Sequence, residues 1–182
     1  MITKYVPILT LLSFTACATP LESVRIPIPA AGLKVGHQAD VRGRGTIREF
    51  VPRDEEIASW RHLVTIQFLE GETRTPDAFV GGLEQGARAH GGKLEWAVLD
   101  RDAHSVIYEW SLLDCPKEGA VYQDQCEIAR VLRGKDGLHR IAYTERARKM
   151  DAAARDKYLN AFREAHVVKG DKLVEIESAK AP

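Results

Sequence analysis

The sequence contains no run of about 20 apolar residues, so no segment reads as a membrane-spanning helix. It has no excess of charge, with 26 Lys and Arg against 26 Asp and Glu. That balance leaves no electrostatic footprint for nucleic acid or for an anionic membrane face. Glycine is frequent but never falls as G-x-G-x-x-G after a strand or as G-x-x-x-x-G-K-[ST], which removes two common phosphate cradles. The six histidines, His37, His62, His90, His104, His139 and His166, form no His-x-x-x-His or His-Glu-x-x-His pair, so no zinc spacing is present. Ser59, Ser105 and Ser111 have no G-x-S-x-G setting. No catalytic residue, metal set or cofactor is therefore assigned. What remains is ordinary globular composition, 45% apolar and 29% charged.

The first segment is an address. Met1 to Lys4 carries one positive charge, and Tyr5 to Phe14 is apolar apart from Thr10 and Ser13. A positive start, a short apolar stretch and then small residues make a secretory signal over 1–16. Phe14-Thr15-Ala16-Cys17 resembles the lipobox of bacterial lipoproteins, with Phe14 where Leu is usual. That resemblance implies cleavage before Cys17 and attachment of acyl chains such as palmitate to it. Ala18 stands where an Asp would favour inner-membrane retention, which implies the outer membrane, facing the periplasm of a Gram-negative bacterium. Two alternatives stay open: an ordinary signal cut after Ala18, since Ala16-Cys17-Ala18 fits the small-x-small rule, and a buried N-terminal helix.

Residues 17–39 read as the lipidated N-terminus and a tether, because Pro20, Pro27 and Pro29 favour extended backbone. Val24, Ile26 and Ile28 alternate, so a sheet-edge strand is the competing reading. A single domain then spans 40–177, with a frayed tail at 178–182. Within it, 44–51, 63–69, 94–99 and 105–113 read as strands. In the last of these Val106, Tyr108, Trp110 and Leu112 share one face. Residues 126–132 and 138–144 form a hairpin across Gly134-Lys135-Asp136-Gly137, where Asp-Gly signals a tight turn with positive φ.

Thr75-Pro76-Asp77 starts a helix over about 75–91, ended by Gly91-Gly92. Its stripe is Phe79, Val80, Leu83 and Ala87, and Gly81, Gly82 and Gly86 suggest close packing on a sheet. A second helix, about 151–165, has Asp151 as N-cap and Ala154, Tyr158, Ala161, Phe162 and Ala165 as its apolar stripe. Lys172 to Ile176 offers one more strand. Separated helices among hairpin-connected strands indicate an α+β fold with a mainly antiparallel sheet.

Three cysteines are present. With Cys17 taken by lipid, Cys115 and Cys126 make an even pair in an oxidising compartment, and a structural disulfide is expected. Their spacing rules out a redox Cys-x-x-Cys; free thiols or a metal site are the alternatives. Trp60, Tyr108, Trp110 and Tyr143 are candidates for a ligand groove, against the plainer reading that aromatics at strand spacing form core. His62 and His139 lie in strands that could bring them face to face. Glu55, Glu56, Glu70 and Glu72 are the nearest approach to paired carboxylates, although acids in turns are usually solvated.

Glu49-Phe50-Val51-Pro52, then Glu56, Trp60 and Thr65, precede a strand bearing Trp110 that ends at Cys115. Cys126-Glu127-Ile128-Ala129-Arg130-Val131, a Gly-bounded hairpin and Tyr143 follow. Over about 45–165 this pattern resembles a group of uncharacterised proteobacterial envelope lipoproteins. The resemblance implies a fold similar to the Mog1/PsbP-like α–β sandwich, a binding scaffold with no shared active site, and it transfers no functional residue. The expected function is a non-catalytic, membrane-anchored periplasmic domain that binds an envelope protein partner or a small ligand. The alternatives are an envelope-acting enzyme, with an acid or His at the sheet edge, and a structural envelope component.

Overall fold

A computed structural model describes residues 22–28, 32–41, 44–89, 91–114, 124–169 and 174–176. The signal segment, Cys17, Cys115 and the 178–182 tail lie outside the described residues. The chain order is β1 (Glu22–Ile26), β2 (Leu33–Val41), β3 (Gly45–Pro52), β4 (His62–Glu70), α1 (Pro76–Ala89), β5 (Lys93–Arg101), β6 (Ser105–Leu113), β7 (Gln125–Arg133), β8 (Gly137–Glu145), α2 (Ala152–Glu164), β9 (His166–Lys169) and β10 (Val174–Ile176). A seven-stranded antiparallel sheet runs β2-β3-β4-β8-β7-β6-β5, and a three-stranded sheet runs β10-β1-β9. The fold is α+β with a mainly antiparallel sheet and two packed helices.

Period-two alternation gives the large sheet two apolar faces. On one, Val106 and Tyr108 of β6, Ala129 and Val131 of β7 and Leu138 and Ala142 of β8 meet Phe79 and Val80 of α1. On the other, Phe50, Val64, Ile66, Ile128, Ile141 and Tyr143 meet Tyr158, Leu159 and Phe162 of α2 and the apolar residues of β1. The ladder Ile66↔Ile141 and Arg130↔Ile141 fixes which residues share that second face.

The tether reading is corrected over 22–28 and 33–39. Val24, Ile26 and Ile28 are 1%, 0% and 1% exposed, and β1 pairs antiparallel with β9 and parallel with β10. Leu33–Val41 is an edge strand on β3. Their alternation wins because burying three branched side chains stabilises by about 1.5–3 kcal/mol each, and Pro27 falls just after β1, where no ladder bond is lost.

Glu22 starts β1 and holds the β7–β8 hairpin. Its carboxylate accepts from the backbone N–H groups of Lys135 (2.8 Å) and Asp136 (3.1 Å). The hairpin forms where expected, but neither of its glycines has positive φ. They are required for space instead. A Cβ on Gly134 would run into the Glu22 carboxylate and His139, and one on Gly137 into the Leu69 carbonyl.

The glycines of α1 are also corrected. A Cβ at Gly81 or Gly86 would meet nothing within 4 Å, so the helix docks through Phe79, Val80 and Leu83 rather than by close backbone approach. Both edge strands carry register irregularities, between Val35 and His37 in β2 and between Val98 and Asp100 in β5.

Candidate functional site

Helix α2 is pinned at both ends. At its start Asp151 accepts from the Ala154 N–H at 2.9 Å, and the Asp151 N–H donates to Glu145, which also accepts from the Tyr143 hydroxyl at 2.8 Å. At its end the Arg130 guanidinium donates to the carbonyls of Phe162, Arg163 and Ala165, satisfying groups a helix leaves unpaired. The helix therefore lies along the middle of the sheet and leaves a depression on each side of its first turns.

The larger depression, about 460 Å³, opens toward β5 and β6. Ala97, Glu109, Ser111 and Cys126 come from the strands, Met150 and Arg155 from the α2 side, and Glu95, Arg148 and Lys149 border it. Its charges are largely paired beforehand. Arg155 Nε lies 2.7 Å from Glu109, and Lys93 Nζ lies 2.6 Å from Glu95. Arg148 bridges Asp114 (2.8 Å) and Asp124 (2.7 Å), the two ends of the β6–β7 connection. The Lys93 ammonium holds the Glu95 carboxyl below its usual range. Burial, with Glu145 nearby, pushes the Cys126 thiol up to about 11, so it stays protonated.

The smaller depression, about 180 Å³, lies between α2 and β2–β4. Its walls are Leu33, Phe50, Val64 and the stacked rings of Tyr143 and Tyr158, 3.8 Å apart. His62 stands at its border with Nδ1 2.8 Å from Glu55. Glu55 is 7% exposed and gathers the Arg61 N–H (2.6 Å), the His62 N–H (3.1 Å) and Arg61 Nε (3.3 Å). Burial alone would raise its pKa, but these donors outweigh burial and hold it at about 2. The pair closes the 53–61 turn, and Glu55 has little acceptor capacity left for a substrate proton.

No protein-family model matches the chain, and no curated protein matches it by sequence. The chain is similar to two solved structures. One is the 1.9 Å crystal structure of the Saccharomyces cerevisiae Ran-binding protein Mog1p, 13% identical, covering 75% of this chain and 97% of that one at a TM-score of 0.46. The other is a point mutant of Mog1, 14% identical, with the same coverages, 75% and 97%, at a TM-score of 0.44.

The four aromatics expected to share a groove are not brought together. Trp60 lies in the turn before β4 under the Arg146 guanidinium, 4.2 Å from ring centroid to cation. Tyr108 and Trp110 are on the α1 face, while Tyr143 is on the α2 face. Tyr108, which is buried, and Trp110, which is half-buried and also borders the larger depression, belong to one polar network. Glu127 accepts from Trp110 Nε1 (2.9 Å), Arg140 (2.6 Å) and Thr144 (3.1 Å), and Arg140 also donates to the Tyr108 hydroxyl at 3.0 Å. Fully satisfied, this network holds the sheet together.

His62 and His139 are also apart, opposite Glu145 and Phe68 respectively, with His139 buried and stacked on Phe68 at 4.8 Å. Cys126 is buried with Sγ 3.9 Å from the Glu145 carbonyl, and no disulfide forms among the described residues. The four turn carboxylates have separate partners or none in common: Glu56 pairs with Lys34 and Glu72 with Arg74. Among the described residues no group of three or more His, Cys, Asp or Glu could hold a metal.

Proposed function

We propose that this chain is a non-catalytic envelope domain, held by lipid on Cys17 at the periplasmic face of an outer membrane, that binds a protein partner through the mixed-charge cleft beside α2. The cleft's composition carries the reading. Its rim consists of exposed, already paired charges of both signs, which can be exchanged for a partner's charges at little desolvation cost. Its floor includes Ala97, Met150 and Cys126, which a partner would cover. General acid–base work needs a group tuned near neutrality. Here the Cys126 thiol is pushed well above that and the Glu95 carboxyl well below it.

The placement of β1 supports the same reading. Residues 18–21 can span at most about 14 Å, so the Glu22 end of β1 would stay close to the lipid. Glu22 grips the β7–β8 hairpin, whereas Cys126 and Glu145 mark the opposite ends of the same strands, where the cleft lies. The cleft would thus face away from the membrane.

Two measurements test this. Cys17→Ser should leave the protein in the soluble periplasmic fraction with no acyl mass; a wild-type chain that is itself soluble and unacylated refutes the anchor. A photo-crosslinking residue at Ala97 should trap a discrete protein that the same residue at Gln85, on α1, does not. Equal products from both positions, or none from Ala97, refute the cleft.

A further inference from the structure

We propose that the groove on the β2–β4 side of α2 is a second, independent binding site, for a small carboxylic acid with a single-ring or branched-alkyl body. The groove is lined by Leu33, Phe50, Val64 and Ala154 and by the paired rings of Tyr143 and Tyr158. The Tyr143 hydroxyl is already committed to Glu145, so Tyr143 offers the occupant its ring. At about 180 Å³ the space suits one ring; an engineered apolar cavity of about 150 Å³ accepts benzene.

The border decides the charge of the occupant. Among the described residues that line the groove, His62 and Lys157 are the acid–base side chains apart from the two tyrosines, and none of them is a carboxylate. Lys157 Nζ lies over the Tyr158 ring, 5.3 Å from its centroid, so the cation stands beside the apolar wall. Glu55 sits behind His62 on Nδ1, orienting the ring and leaving Nε2 as its remaining polar atom. The Lys157 ammonium is the group a ligand carboxylate would meet, with His62 Nε2 as a further hydrogen-bonding atom at the border. An apolar body with a terminal carboxylate complements both parts. The site is separate from the mixed-charge cleft, from which the first turn of α2 and the Tyr143–Glu145–Asp151 hydrogen bonds divide it.

The test titrates the full chain with 3-phenylpropionate and, in parallel, with 3-phenylpropan-1-ol, followed by amide NMR. The acid should give saturable shifts at Leu33, Ala154 and Lys157 but not at Ala97 or Glu109, and the alcohol should bind more weakly. Lys157→Gln, an exposed change, should weaken the acid about fivefold and leave the alcohol unchanged. Ala154→Leu, which fills the groove, should abolish both responses without lowering Tm. Equal binding of acid and alcohol, indifference of the acid to Lys157→Gln, shifts centred on Ala97 and Glu109, or no saturation would each overturn the proposal. Failure here leaves the protein-binding cleft untouched, because that reading is tested by crosslinking at a different wall of α2.

Discussion

Glu55→Gln should destabilise the protein by roughly 3 kcal/mol at pH 7, and the loss should shrink in acid. The Glu55 carboxyl sits at about 2 in the fold against an ordinary 4.5, because the donors from Arg61 and His62 outweigh the opposing effect of burial. At about 1.36 kcal/mol per pH unit, that difference is worth about 3 kcal/mol once the group is ionised in both states. Because the folded value is depressed, this stability is complete above pH 4.5 and disappears as pH falls toward 2. At pH 3 about 1.5 kcal/mol should remain. Gln keeps an amide oxygen that can accept one backbone N–H, so the pH 7 figure is an upper bound. Urea melts of both proteins at pH 7, 5, 4 and 3 give the difference directly. A variant within about 0.5 kcal/mol of wild type at pH 7, or a difference independent of pH, would show that Glu55 does not close the 53–61 turn.

Phe162 is 0% exposed under α2, so Phe162→Ala should cost about 3–5 kcal/mol in the same assay; a loss under about 1 kcal/mol would place the ring outside the core. Gly137→Ala should cost roughly 2 kcal/mol, since its Cβ would meet the rigid Leu69 carbonyl, and a neutral effect would mean that the β4–β8 ladder yields there. Export to an oxidising compartment, as proposed above, together with the Arg148 bridge between the ends of the connecting segment, leads to the prediction that the Cys126 thiol is oxidised to a bridge with Cys115. Unfolded, unreduced Cys17→Ser protein should then show no reactive thiol, and two per chain would refute the bridge.

Much of the fold is readable from local pattern. Val106-Tyr108-Trp110 alternates cleanly and forms one face of β6, and the Asp151 cap and the Tyr158-Phe162 stripe mark α2 within a residue at each end. The proline-rich stretch before β3 misleads, because the weight given to Pro20, Pro27 and Pro29 hides the alternation of Val24, Ile26 and Ile28. The candidate site is much less legible. Whether Tyr143 joins Tyr108 or opposes it depends on the β7–β8 register, Ile128↔Tyr143, which a single strand cannot reveal. Glu55 and His62 meet only because the intervening turn folds back. Glu127 and Arg140 look like the solvated half of two amphipathic strands. Only in the sheet does each become the other's partner, because Glu127 and Arg140 then lie on one face beneath Trp110 and Tyr108.

The irregularities in β2 and β5 bear on how many copies can crowd together safely. A sheet with two free edges can recruit neighbouring chains strand by strand into a growing fibre. Here the large apolar side chains most open to solvent among the described residues, Val35 at 54% and Val98 at 37%, each sit on one of the border strands and directly beside its register break. A straight incoming strand could match the donors and acceptors on one side of the break but not on both. The sticky position on each border therefore coincides with a fault in the template, which discourages edge-to-edge polymerisation.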